Sequence, residues 1–144
     1  MHGLLNKTCE YAVNAVVFLA GQPDDTFFSQ GIIARRAGVP HHFIGKILQT
    51  LSKKDLIISV KGKNGGFKLG RPAKRIKLIE IIESIDGPGF LEGCMLGLGK
   101  CEKDESCYAH SEWKKIKSRI KAILNKDLLQ FSQNPDKKAG RKKV

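Results

Sequence analysis

The apolar residues of this chain change their period several times, and each change marks an element. Ala12, Val16 and Leu19 recur at i, i+4 and i+7 with Val13, Val17 and Ala20 beside them, which is the stripe of an amphipathic helix. That helix is predicted from Leu5 to Ala20, because Gly21 and Pro23 do not prolong it. In the next stretch, "SQGIIARRAGVPHHFIGKILQTLSKKDL", Ser29 can cap a short helix running through Arg36. Gly38 then supplies a tight turn and Pro40 opens a second helix. Phe43, Ile47 and Leu51 share one face of that second helix, with Ile44 and Leu48 beside it, so His41, His42, Lys46, Gln49 and Lys53 are expected to face outward. Two helices joined this closely read as helix-turn-helix.

The period then drops to that of strands. "LIISVKG" and "GFKLG" flank "KNG", and Asn64-Gly65 suits the two central positions of a type I′ hairpin turn. A basic hairpin directly after a helix-turn-helix is a wing. "LIEIIESID", Leu78 to Asp86, returns to helical spacing and is stopped by Gly87-Pro88-Gly89. After a cysteine-bearing loop, "SEWKKIKSRIKAILNKDLLQF" is predicted to be one long helix. Its stripe of Trp113, Ile116, Ile120, Ile123 or Leu124, Leu128 and Phe131 alternates threes and fours, as a helix-pairing seam does. The polar, basic "SQNPDKKAGRKKV" is expected to be disordered.

The expected fold is therefore mainly α: a winged helix-turn-helix DNA-binding domain with a long C-terminal dimerisation helix. The divisions are a DNA-binding domain over 1–86, a cysteine-rich sensor loop over 87–109, the dimerisation helix over 110–131 and a basic tail over 132–144.

Charge narrows the partner. The chain holds 26 Lys and Arg against 14 Asp and Glu, a formal charge of +12, and a surplus of that size points to a polyanion such as nucleic acid. Nine of the Lys and Arg residues fall between Pro40 and Arg75, against Asp55 as the one acid there, so the surplus sits on the second helix and the wing. Double-stranded DNA is the expected partner. His41, His42, Lys46 and Gln49 are the candidates for reading bases in the major groove, and Lys61 and Lys63 for the wing and minor groove. The apolar run Ala12–Ala20 is far short of the ~20 residues that span a bilayer, and no membrane partner is expected. The expected compartment is the cytoplasm, where clustered thiols bind metal or sense redox change more often than they form structural disulfides.

Three of the four cysteines lie in "CMLGLGKCEKDESCYAH", as Cys94, Cys101 and Cys107, with His110 closing the segment. The spacing is C-x6-C-x5-C-x2-H, and Gly93, Gly97 and Gly99 give the freedom for distant sulfurs to converge on iron. Three Cys and one His would also suit zinc, but structural zinc sites favour a C-x2-C knuckle. Iron held by thiolates is therefore the favoured reading of these residues, with zinc, or a thiol-only switch with no cofactor, as the alternatives. Three thiolates leave one position, for which His110 is the in-chain candidate; Cys9 is expected to be a small buried residue. A small metal-dependent enzyme is the reading of another class. No Ser/His/Asp arrangement or phosphate-cradling loop supports it.

Three stretches carry a family resemblance: "LNKTCEYAVNAVVFLA", "VKGKNGGFKLGRPAKRIKLIEIIESIDGP" and the three spaced cysteines. Over Leu5 to Phe131 the chain resembles the Rrf2 family of bacterial winged-helix regulators. The resemblance implies a homodimer on a palindromic operator, with the C-terminal helices crossing between subunits. It also implies a 2Fe-2S or related cluster in members with three cysteines in this loop. Such members respond to nitric oxide, redox state or iron-sulfur status. "VKGKNGGFKLGRPA" is similar to the wing of the nitric-oxide-sensing repressors, whereas Cys107 to His110 followed by Trp113 is similar to the cluster-biogenesis regulators. From the first subgroup Glu10 becomes a second candidate for the fourth ligand, because there an acidic residue of the partner subunit serves. The six residues between Cys94 and Cys101 are more than is usual in cluster-binding members. The implied function is a homodimeric DNA-binding transcriptional regulator, a repressor, under cluster control.

Overall fold

Asn6 opens the first helix. Its Oδ1 accepts the Cys9 N–H at 2.9 Å and so satisfies one of the amides that a helix start leaves without a partner. The computed structural model describes residues 4–94, 96 and 107–132. Within them run helices α1 (Lys7–Ala20), α2 (Gln30–Ala37) and α3 (His41–Lys53), strands β1 (Ile57–Val60) and β2 (Gly66–Leu69), and helices α4 (Leu78–Asp86), α5 (His110–Leu124) and α6 (Leu128–Ser132). A 3-10 turn at Ala73–Arg75 precedes α4.

The helix-turn-helix forms as its punctuation predicts. Ser29 Oγ accepts the Ile32 N–H at 3.3 Å, and Gly38, in the left-handed region at φ 71°, lets Val39 donate back to the Ala34 carbonyl at 2.9 Å. Asp55 ends α3 in the same way at φ 58°, with Leu56 N–H reaching the Leu51 carbonyl at 3.2 Å and Asp55 N–H reaching Ser52 at 3.1 Å. This is the paired bonding of a Schellman motif, and it turns the chain directly into the wing.

β1 and β2 pair antiparallel, with Ile57 opposite Leu69 and Val60 opposite Gly66. Phe28, just before α2, adds a single-residue third edge by exchanging bonds of 2.9 and 2.8 Å with Phe67. That close approach dictates Gly66: a Cβ there would stand 2.5 Å from the Phe28 carbonyl oxygen. The tip differs from the expected type I′ turn. The strands stop at Val60 and Gly66, and the turn is Gly62–Gly65, closed by the Gly65 N–H on the Gly62 carbonyl at 3.1 Å. Lys63 and Asn64 occupy its centre, and neither takes positive φ; a loop of this length is built around an ordinary turn rather than a two-residue primed one.

Val16, Ile33, Ile44, Leu48, Leu51, Ile57, Ile81 and Ile82 are buried together, so α1 to α4 and β1 share one core. Each such side chain contributes about 1.5–3 kcal/mol of apolar burial. Phe43 is an exception to the predicted face. It is 41% exposed and meets the rings of His42 at 4.2 Å and Tyr11 at 5.7 Å, both tilted, because the buried stripe of α3 runs through Ile44, Ile47, Leu48 and Leu51 and leaves Phe43 at its edge.

The single long helix predicted over 111–131 is two helices. α5 ends at Leu124, where Asn125 Nδ2 bonds the Lys121 carbonyl at 2.8 Å. The chain then turns back: Leu128 N–H donates to Ile76 at 2.9 Å and Leu78 N–H to Lys126 at 3.2 Å. Leu124 and Leu128 are consequently buried in the domain's own core, with Phe131 packed against it. The apolar stripe left outside is shorter, with Ile116 and Ile123 exposed and Ile120 partly buried. No helix among the described residues is long and apolar enough to cross a membrane.

Candidate functional site

The buried side of α3 is Ile44, Ile47, Leu48 and Leu51. This leaves His41, His42, Lys46, Gln49 and Lys53 exposed on the other side, as the pattern predicts. Lys61 and Lys63 are exposed at the wing tip, so every residue proposed to touch DNA is open to a ligand. The other cations of this region are not equivalent. Arg71 donates to Glu80 Oε1 at 3.0 Å and to the Arg75 carbonyl at 3.1 Å. The same Glu80 accepts the Lys77 N–H at 2.8 Å, so Arg71 ties the base of the wing to the start of α4. Lys68 lies over the Phe27 ring at 5.0 Å, a cation–π contact that holds its stem against the fold.

The cysteine region is anchored at both ends. Trp113, on the first turns of α5, donates its indole N–H to the Gly93 carbonyl at 3.1 Å. That bond draws the segment carrying Cys94 to the N-terminal end of α5, where the His110 N–H donates to the Cys107 carbonyl at 3.1 Å. Cys94, Cys107 and His110 are thus all within three residues in sequence of the partners in these two bonds. Cys94 Sγ accepts the Leu96 N–H at 3.4 Å, as a sulfur turned towards its own loop does. Cys101 lies outside the described residues, and among those described no group of three His, Cys, Asp or Glu side chains forms a metal-holding cluster. The donor set nevertheless fits a thiophilic metal group: two sulfurs and an imidazole at the two ends of a loop that carries the third sulfur.

Glu10 and Cys9 share the first turns of α1 but not their surroundings. Glu10 is about one-third exposed and pairs with Lys7 at 3.0 Å; that bond and charge raise the Lys7 pKa. Cys9 has no exposed surface. Its thiol donates to Asp86 Oδ2 at 3.1 Å, and burial first, then the Asp86 hydrogen bond and charge, push its pKa up to about 12. Such a thiol is neither a nucleophile nor a ready metal ligand. Asp86 also accepts the Asn6 amide at 2.7 Å. This Asn6–Asp86–Cys9 bracket, joining α1 to the last residue of α4, escapes sequence reading because it links residues 80 apart. The Trp113–Gly93 bond escapes it too, since Trp113 reads there only as part of an apolar stripe.

A helix-turn-helix whose exposed face is basic and polar, followed by a lysine-tipped hairpin on a helical core, defines a winged-helix DNA-binding transcriptional regulator. The family model for Rrf2, described as an iron-dependent transcriptional regulator, matches residues 5–130, and this chain belongs to the Rrf2 family. A helix-turn-helix-type transcriptional regulator of Aquifex aeolicus (strain VF5) is 32% identical over 136 residues, covering 90% of this chain and 94% of that protein. The regulator IscR of Cronobacter sakazakii is 29% identical over 121 residues, 84% of this chain and 74% of that one. Among solved structures, CymR, the global cysteine regulator of B. subtilis, superposes with a TM-score of 0.74 at 21% identity, covering 92% and 97% of the two chains. T. potens IscR superposes with a TM-score of 0.67 at 26% identity, covering 86% and 82%. The relatives are transcriptional regulators, and so is this chain; it is not an enzyme.

Proposed function

We propose that this regulator is a homodimeric repressor whose affinity for a palindromic operator is set by a 2Fe-2S cluster held by Cys94, Cys101 and Cys107, with His110 as the fourth ligand. The observation that carries the reading is the Trp113–Gly93 bond, because it holds the two ends of the cysteine segment together with His110 beside them. When bound, the cluster supplies a centre that reacts with nitric oxide and oxidants. The residues of the chain do the rest. The thiolates and His110 fasten the loop to α5, and Trp113 fixes its entry. Ligation at Cys94, Cys107 and His110 then bears on the start of α5, and through it on how the partner subunit presents α3. Cluster binding and DNA affinity are thereby linked.

In this reading residues 1–86 bind DNA, 87–109 sense and 110–131 dimerise, with the pairing face narrowed to Trp113, Ile116, Ile120 and Ile123 of α5; of the basic tail expected over 132–144, Ser132 closes α6 and the rest lies outside the described residues. His41, His42, Lys46 and Gln49 face base edges, and Lys61 and Lys63 meet the backbone and minor groove. Analysis of anaerobically purified protein tests the cofactor directly: about two iron and two labile sulfides per chain are expected. Stoichiometric zinc without sulfide, or no metal at all, would replace the cluster by a zinc or thiol switch on the same fold. His110→Ala should alter the cluster's absorption more than Glu10→Ala; the reverse order would assign the fourth position to Glu10 of α1.

A further inference from the structure

Gly45 stands in the middle of α3, where a glycine costs a helix about 1 kcal/mol relative to alanine. Its space is used by another helix. A Cβ built on Gly45 would lie 3.1 Å from Nε2 and 3.5 Å from Oε1 of Gln30, the first residue of α2. Next to it, a Cβ on Gly31 would meet His41 Cε1 at 3.7 Å. The first turn of α2 therefore lies on the first two turns of α3.

The position matters because of the line it occupies. His41, Gly45 and Gln49 follow each other at i, i+4 and i+8 along the outward side of α3, so they stack one above another. The missing side chain at Gly45 leaves a gap in that line, and the Gln30 amide fills it from the neighbouring helix. Gln30 is exposed, and no hydrogen bond to the described residues engages its amide. It offers a donor and an acceptor side by side at the level of the residues proposed to read bases.

We infer that Gln30 is a base-reading residue, supplied by α2 through the gap at Gly45, and that it recognises adenine in the major groove. The inference rests on the reading of α3 as the major-groove helix. A carboxamide matches adenine in one orientation, its NH2 donating to N7 and its oxygen accepting from N6–H, and each such bidentate pair is worth about 1–3 kcal/mol of discrimination. α2 otherwise crosses the phosphate backbone in this architecture, so a base contact from its first residue depends on the close approach that Gly45 permits.

Binding-site selection from random duplex DNA, carried out with the full chain and with Gln30→Ala, tests this. Thermal melting confirms that the variant folds, as an exposed side chain without hydrogen bonds predicts. The wild type should select an A·T pair at one position of each half-site, and Gln30→Ala should lose that preference alone. On the selected site its affinity should fall about 5- to 150-fold, with the salt slope unchanged because no charge is removed. Placing 7-deazaadenine at that position, which deletes N7, should weaken the wild type and leave Gln30→Ala unaffected. Gly45→Ala, which displaces the Gln30 amide, should blur the same position. An identical consensus from wild type and Gln30→Ala, or an equal loss on all sequences, would overturn the assignment. A wild type that selects no sequence would remove the DNA reading beneath it and the assignment with it.

Discussion

Asp86 receives two donors from α1: the Cys9 thiol at 3.1 Å and the Asn6 amide at 2.7 Å. It is the last residue of α4, immediately before Gly87, where the chain leaves the DNA-binding core for the cysteine segment. The bracket therefore clamps the core at its exit. Asp86→Ala removes both bonds and should lower stability by about 1 kcal/mol, the ordinary net worth of such contacts at a partly exposed site. Asp86→Asn retains an acceptor for one donor and should lose less. Urea unfolding, read as a shift in midpoint at constant slope, measures both.

The same bracket gives stability an alkaline limit. The Cys9 thiol, at about 12 in the fold against 9.0 ordinarily, keeps its proton where the unfolded chain has lost it. The folded state thus binds more protons across that window, so this contribution is intact below pH 9 and declines as the pH rises towards 12. Cys9→Ala should flatten the fall in unfolding free energy between pH about 9 and about 12 relative to wild type. Equal slopes for the two proteins would contradict the burial of that thiol.

Trp113→Phe keeps an aromatic ring, a smaller one, and deletes the N–H that holds Gly93. Global stability should change by no more than about 1 kcal/mol, the net value of one hydrogen bond. The lifetime in air of the proposed cluster should shorten clearly, since Gly93 is no longer tied to α5. Parallel melting and absorbance decay separate the two effects; unchanged decay would show that the bond does not support the site.

Lys61 stands exposed on the wing with no partner among the described residues, so its charge is available to phosphate. Lys61→Ala should weaken binding on all sequences and reduce the slope of log K against log salt by about one. Arg71 is held by Glu80, and Arg71→Ala should act through stability of the wing base more than through the salt slope. Titrations at several salt concentrations distinguish them.

What the sequence made legible was the part encoded locally. The Ser29 cap, the Gly38 turn and the spacing of Ile44, Ile47, Leu48 and Leu51 are short-range signals, and the structure follows them. The errors arose where long-range packing overrides a local pattern. Leu128 and Phe131 continue the helical stripe of α5, but the core beside Ile76 draws them back and breaks the helix at Asn125. Asn64-Gly65 has the composition of a tight turn, but the register that pairs Val60 with Gly66 leaves five residues to close. Phe43 fits the apolar face by spacing but stands at the edge of the stripe that the core covers, Ile44, Ile47, Leu48 and Leu51. In the candidate site, Cys94, Cys101, Cys107 and His110 are singled out by residue type and spacing alone. Asp86 and Gly93 are not, because only the folded chain brings them to Cys9 and Trp113.

The central claim is that cluster occupancy governs DNA affinity, and one titration tests it most directly. The selected operator duplex is bound by anaerobically purified protein before and after the cluster is destroyed with nitric oxide, at one salt concentration and with the fold checked by circular dichroism. The account predicts dissociation constants that differ about 5- to 150-fold, the usual span of coupling between two sites. Equal constants for the two forms, with both still folded and both binding, would contradict it.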